Sequence, residues 1–253
     1  MQVAPGRSIR VDGIPEDVRP AILSFAGDVL QGEHVGVASL HVTGSVLTED
    51  HVPGRTGVEL VLVLESVDPG ALERLASLGT KYGSRRLAVP LVFTRDEIAR
   101  ALDAFPIEFL NLGSNHRTIH GDDDLSSLRI DREPLRLQVE RELRAYVQQL
   151  RQRYLSDRSD RALLQGMLVA AFEAYLPVLR ALVHLETGTT PRGSVPTLRA
   201  AESALATSLG PLKDLWGIAR SGRRAPVPEL LEIFQAFHVL AEWLVVRVDR
   251  DAR

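Results

Sequence analysis

The side chains of this sequence that are placed to do chemistry fall mainly between residues 43 and 124. An apolar run ending at Val42 gives way to Thr43, Gly44 and Ser45. A residue without Cβ lets the backbone approach a ligand there and turn its N–H groups toward an anion. Glu59 lies near the start of the aliphatic run Val58 to Leu64, and Glu108 is a single acid within Pro106-Ile107-Glu108-Phe109-Leu110-Asn111-Leu112. Acids near the ends of otherwise apolar strands favour a cleft over plain surface. His116 and His120 stand four apart and precede Asp122, Asp123 and Asp124. On a helix that spacing would suit a metal, but this segment reads as loop and strand end, so the spacing loses its geometric force. The three acids read as a solvated turn at the start of a linker. Leu78-Gly79-Thr80-Lys81 lacks the spacing of a phosphate-binding P-loop. No Ser/His/Asp arrangement emerges.

These residues need a sheet to hold them, and the pattern supplies one. Val35 to Val42 reads as the first core strand, and Val58 to Leu64 is too continuous for a half-exposed strand, so it is expected to be buried on both faces. Arg86 to Phe93 follows as a strand in which Pro90 suits an edge, and Pro106 to Leu112 as a short strand. Ser8 to Val11 is a further extended candidate. Pro15 with Glu16 and Asp17 opens a helix that runs to Gly32; Leu72, Leu75, Ala76 and Leu78 form a short helix closed by Gly79. Thr94 and Glu97 make a capping box for a helix through Leu102.

From Glu133 the pattern is helical throughout. Leu135, Val139, Leu143, Tyr146, Leu150 and Tyr154 line one stripe, with Arg141, Arg144, Arg151 and Arg153 on the solvated side. Arg161 to His184 is a second helix, kinked at Pro177; Gly188 to Gly193 is a loop. Thr197 to Leu209, a short piece from Leu212 to Ala219, and a last helix opened by Pro228 complete a bundle. The expectation is an α+β chain: a mixed sheet flanked by helices in residues 1–128 and an all-α bundle in residues 129–253.

The 253 residues are 45% hydrophobic, enough for a real core. With no cysteine, neither a disulfide framework nor a thiolate zinc site can form. No secretory signal or membrane-length apolar stretch is read, so the expected setting is cytoplasmic, without a membrane partner. Residues 1–130 carry 12 Lys and Arg against 18 Asp and Glu, and residues 131–253 carry 18 against 15. That balance lacks the concentrated basic face of a nucleic-acid binder.

A Gly-Ser turn, about a dozen residues of loop and then a strand opening with carboxylates resembles the nucleotidyltransferase superfamily. In that family the strand begins Asp-hydrophobic-Asp/Glu-hydrophobic; here Gly57, Val58, Glu59 and Leu60 stand in those places, so the first carboxylate is a glycine. Thr118-Ile119-His120-Gly121-Asp122-Asp123-Asp124-Leu125 resembles the family's hydrophobic-Tyr-Gly-Glu/Asp-Leu segment. The trailing bundle is similar to that of the kanamycin nucleotidyltransferase group. The resemblance implies Mg²⁺-dependent transfer of a nucleoside monophosphate from an NTP to an acceptor hydroxyl. Gly44 and Ser45 would hold the triphosphate, Glu59 and Glu108 the metal, and Glu108 would also act catalytically on the acceptor. With glycine at 57 the activity is expected to be weak or lost unless Glu49 or Asp50 replaces the missing ligand. The alternative is a non-catalytic module that keeps the fold to bind a nucleotide or partner. Homodimers are frequent in similar proteins, so a homodimer belongs to the same expectation.

Overall fold

A computed structural model describes residues 9–31 and 36–250. Ser8, Gly32 and Val35, where an extended segment, a helix end and a strand start were expected, lie outside the described residues. Those that are described contain four strands and nine helices, a mixed α+β chain. They fall into two compact units, Met1–Leu102 with Leu112–Arg129, and Asp103–Asn111 with Ile130–Arg253.

In the first unit, helix α1 (Arg19–Gln31) buries Ile22, Phe25, Ala26 and Val29 at helical spacing. Strand β1 (Val37–Thr43) pairs antiparallel with β2 (Glu59–Leu64), joined through a single 3-10 turn at Ser45–Leu47. Asp68 caps helix α2 (Pro69–Gly83), accepting from the Ala71 amide at 2.7 Å, with Pro69 in the first turn where its missing N–H is harmless. The helix passes through Gly79, where it was expected to end. Strand β3 (Leu91–Thr94) runs parallel to β2 at the sheet edge, with Pro90 just outside it. The capping box of Thr94 and Glu97 is present and starts α3 (Arg95–Ala101).

Helix α4 (Pro106–Ser114) occupies the stretch expected to be a strand. The correction has a local reason: proline is preorganised for a first helical turn, and Glu108 in that turn favours the positive end of the dipole. The segment expected as loop and strand end, His116–Gly121, is strand β4 throughout, antiparallel to β1. The sheet order is β3-β2-β1-β4. One face packs Leu40, Val42, Leu60, Leu62 and Leu64 with α1 and α2 into an apolar core. Each such fully buried aliphatic side chain contributes about 1.5–3 kcal/mol. The other face is not apolar along β1, and it carries the candidate site.

The second unit is built on α5 (Arg132–Asp157), α6 (Arg161–Thr187), α7 (Ser194–Leu205), α8 (Gly210–Ser221) and α9 (Val227–Arg250). Leu135, Val139, Leu143, Val147 and Leu150 make the buried stripe of α5. Helix α6 is central, touching α5, α7, α8 and α9, and runs unbroken through Pro177. By length and composition alone α6 could cross a bilayer, which corrects the expectation that no stretch is long and apolar enough. Its buried residues, from Leu164 to Leu185, are those of a core helix in this bundle. Arg144 and Arg151, expected to be merely solvated, reach Asp249 and Glu242 of α9.

Candidate metal centre

Strand β1 alternates strictly: Leu40 and Val42 join the apolar core, while Ser39, His41 and Thr43 point the other way and are nonetheless buried. The pairing with β4 sets Thr118 opposite His41 and His116 opposite Thr43, so both imidazoles occupy this polar face. Their ring centroids are 5.7 Å apart, edge to face. Beyond β4 the chain must turn sharply. Gly121 does this at φ +73, and a Cβ there would stand 2.0 Å from the Ala38 carbonyl oxygen, so no other residue fits. The turn brings Asp123 and Asp124 back onto the strands.

The protons of this cluster can be assigned from its partners. Arg95 Nε donates to Asp124 Oδ1 at 2.7 Å, and the Ser39 hydroxyl donates to Asp124 Oδ2 at 2.6 Å. Ser39 has then used its one proton. Its 2.8 Å contact with His41 Nε2 must therefore be the imidazole N–H donating to the hydroxyl oxygen. That leaves the lone pair of His41 on Nδ1, which faces Thr118 Oγ1 at 3.0 Å. Burial drives His41 down to about 4, with the nearby His116 adding to it, so the ring is neutral. Burial pushes the Asp124 carboxyl up, but the hydrogen bonds from Arg95 and Ser39 outweigh it and hold it below its ordinary range.

His116 has a different problem. Its Nδ1 faces the Leu112 carbonyl oxygen at 2.8 Å and its Nε2 faces Asp123 Oδ1 at 2.8 Å. Both partners are acceptors, and a neutral imidazole carries only one N–H. The ring therefore either holds two protons or shares a cation with Asp123. Burial raises the Asp123 carboxyl, yet the hydrogen bond and charge of His116 and the Ser126 and Leu125 amides prevail, so it stays below its ordinary range and ionised.

His41, His116 and Asp123 each offer one ligand atom, and these atoms lie within 4.8 Å of one another. A tetrahedral ion at about 2.0–2.1 Å from each would need them about 3.3 Å apart. The His116 side chain is 7% exposed and that of Asp123 45%, so the cluster opens to solvent on the Asp123 side.

The residues that the resemblance implied for triphosphate and magnesium lie elsewhere. Glu59 is exposed at the start of β2, opposite Thr43, and its carboxylate lies on Gly44: a Cβ at 44 would stand 2.7 Å from Glu59 Cδ. Gly44 has φ +84, which only glycine adopts easily. A phosphate approaching Gly44 and Ser45 would meet that carboxylate. Glu108 belongs to the second unit, on α4, where Gln138 Nε2 donates to it at 2.8 Å. Asp50 sits beside Thr48, and His120 is not part of the cluster. The turn of Asp122 to Asp124, expected to be solvated, supplies two structural carboxylates. Sequence reasoning passed over Ser39 and His41, although the alternation of polar and apolar residues through β1 was there to be read.

No family model matches the sequence. The chain is 35% identical over 94 residues to UPF0246 protein RD1_0358 of Roseobacter denitrificans. The match covers 37% of this chain and 34% of that protein, so it spans about a third of the relative's length. This finding overturns the nucleotidyltransferase assignment and the transfer activity drawn from it: the curated relative found is a UPF0246 protein, and Glu108, expected on a strand, lies on a helix.

Proposed function

We propose that the first unit is a divalent-metal domain in which His41, His116 and Asp123 hold one ion of the zinc type, with a further coordination position facing solvent beside Asp123. The observation that carries this reading is the pairing of His116 with two acceptors, which a bound cation resolves without a second proton. The His116 contact with the Leu112 carbonyl is the outer-shell bond that orients a ligating imidazole, and Ser39 with Asp124 gives His41 the same support. Two imidazoles and one carboxylate suit zinc better than Mg²⁺, which prefers oxygen ligands throughout. Three protein ligands would leave room for a water, and an ion held there would lower the pKa of that water toward neutrality. Metal-assisted hydrolysis is thus the chemistry this arrangement serves. A cytoplasmic setting fits the cysteine-free composition.

The test is metal loading of the full chain. Stripped with chelator and dialysed against zinc, it should retain one equivalent by elemental analysis. Cobalt in its place should give the visible bands of a four-coordinate site. His116→Ala and Asp123→Ala should each weaken zinc binding by about tenfold or more with unchanged circular dichroism. Substoichiometric zinc in the wild type, or undiminished binding by both variants, would reduce His116 and Asp123 to an ordinary ion pair and end the proposal.

A further inference from the structure

Helix α6 faces α5 with alanines over about one turn. Ala170, Ala171 and Ala174 are too short to fill the space beside Tyr146 and Leu150, and a cavity of about 80 Å³ remains. Tyr175 forms part of its wall. That residue is 1% exposed, yet its hydroxyl has no hydrogen-bond partner among the described residues. Its ring is held edge-on to Phe237 at 5.0 Å and tilted against Tyr146 at 5.4 Å. Burial raises the pKa of the phenol well above its ordinary value, with the charge of Tyr146 adding to the effect, so the group stays protonated and is a donor in need of an acceptor.

The remaining wall says what that acceptor carries. Arg153 is the single charged residue lining the cavity, and no carboxylate lines it. Among the described residues its ion pair is with Asp157, long at 3.7 Å, and the side chain is 57% exposed. Met167 and Leu150 supply an apolar floor. A water needs about 10–15 Å³ on this measure, so the cavity has room for about five to eight waters or one ligand of comparable size.

We infer that this cavity binds a small carboxylate, one oxygen accepting from Tyr175 Oη, its charge facing Arg153, and a short hydrocarbon tail lying on Met167, Leu150 and the alanines. The inference is independent of the metal centre. Butyrate, butyramide and butylamine titrated into the full chain by calorimetry test it. Butyrate should bind saturably and more tightly than the neutral amide, and the amine should not bind. Tyr175→Phe, which keeps the ring, should weaken butyrate by about tenfold. Ala171→Leu should abolish binding by filling the space. Arg153→Gln should remove the preference for carboxylate over amide. No saturable butyrate binding by the folded wild type, or binding unchanged in Tyr175→Phe, would overturn the site. Equal binding of amide and acid would overturn the assigned class of ligand.

Discussion

Tyr82 of the first unit and Tyr175 of the second are equally buried, each 1% exposed, but their hydroxyls meet opposite surroundings. Tyr82 Oη donates to Asp28 Oδ2 at 2.6 Å and lies 2.8 Å from Ser24 Oγ, because Ser24 and Asp28 are one turn apart on the same side of α1. Tyr175 faces alanines across a cavity and finds no partner among the described residues. The same contrast separates the polar face of β1, where Ser39, His41 and Asp124 each have an assigned partner, from the space between α5 and α6. A satisfied buried polar group holds a fold together; an unsatisfied one with room in front of it is a place for a ligand.

The comparison can be broken at either end. The largest effect is expected from His41→Ala, which strips Ser39 and Thr118 of their partner inside a buried sheet face and should cost about 3 kcal/mol or more. Denaturant unfolding followed by hydrogen exchange of β1 and β4 would measure it. Next, zinc at a hundredfold excess over its dissociation constant should stabilise the first unit by about 2.7 kcal/mol, an increment absent in His116→Ala and reversed by chelator in thermal melts. Tyr82→Phe removes a hydrogen bond to a carboxylate and should cost about 1.5–3 kcal/mol. That cost should shrink in acid. Asp28 is held below its ordinary value of 3.8, first by Lys81 and then by Tyr82, so its contribution is present above that value and is lost as pH falls through the lowered folded-state value. The smallest effect is reserved for Tyr175→Phe without ligand, which should change stability by no more than about 0.5 kcal/mol. If the two Tyr→Phe variants cost the same, the contrast between the tyrosines fails.

The local signals of this chain proved readable where their causes were local. The capping box of Thr94 and Glu97 needs only four residues, and the stripe Leu135, Val139, Leu143 and Leu150 needs only one helix. The stretch from Pro106 to Leu112 misled because its apolar residues suit either period, and the decision for helix came from Pro106 and Glu108 at its start. The sequence spacing pairs His116 with His120. In β4 the relevant partner of His116 is His41, and strand pairing brings these two together across the sheet.

Residue order by itself determined the helical second half, the apolar strand β2 and the capping box that starts α3, because hydrophobic period and capping act within one or two turns. Only the tertiary structure decided the metal cluster and the open space at Tyr175. His41 and Thr118 are 77 positions apart and meet through a register that no short window of sequence contains. Whether the Tyr175 hydroxyl is satisfied depends on what a neighbouring helix presents to it, and three alanines present nothing.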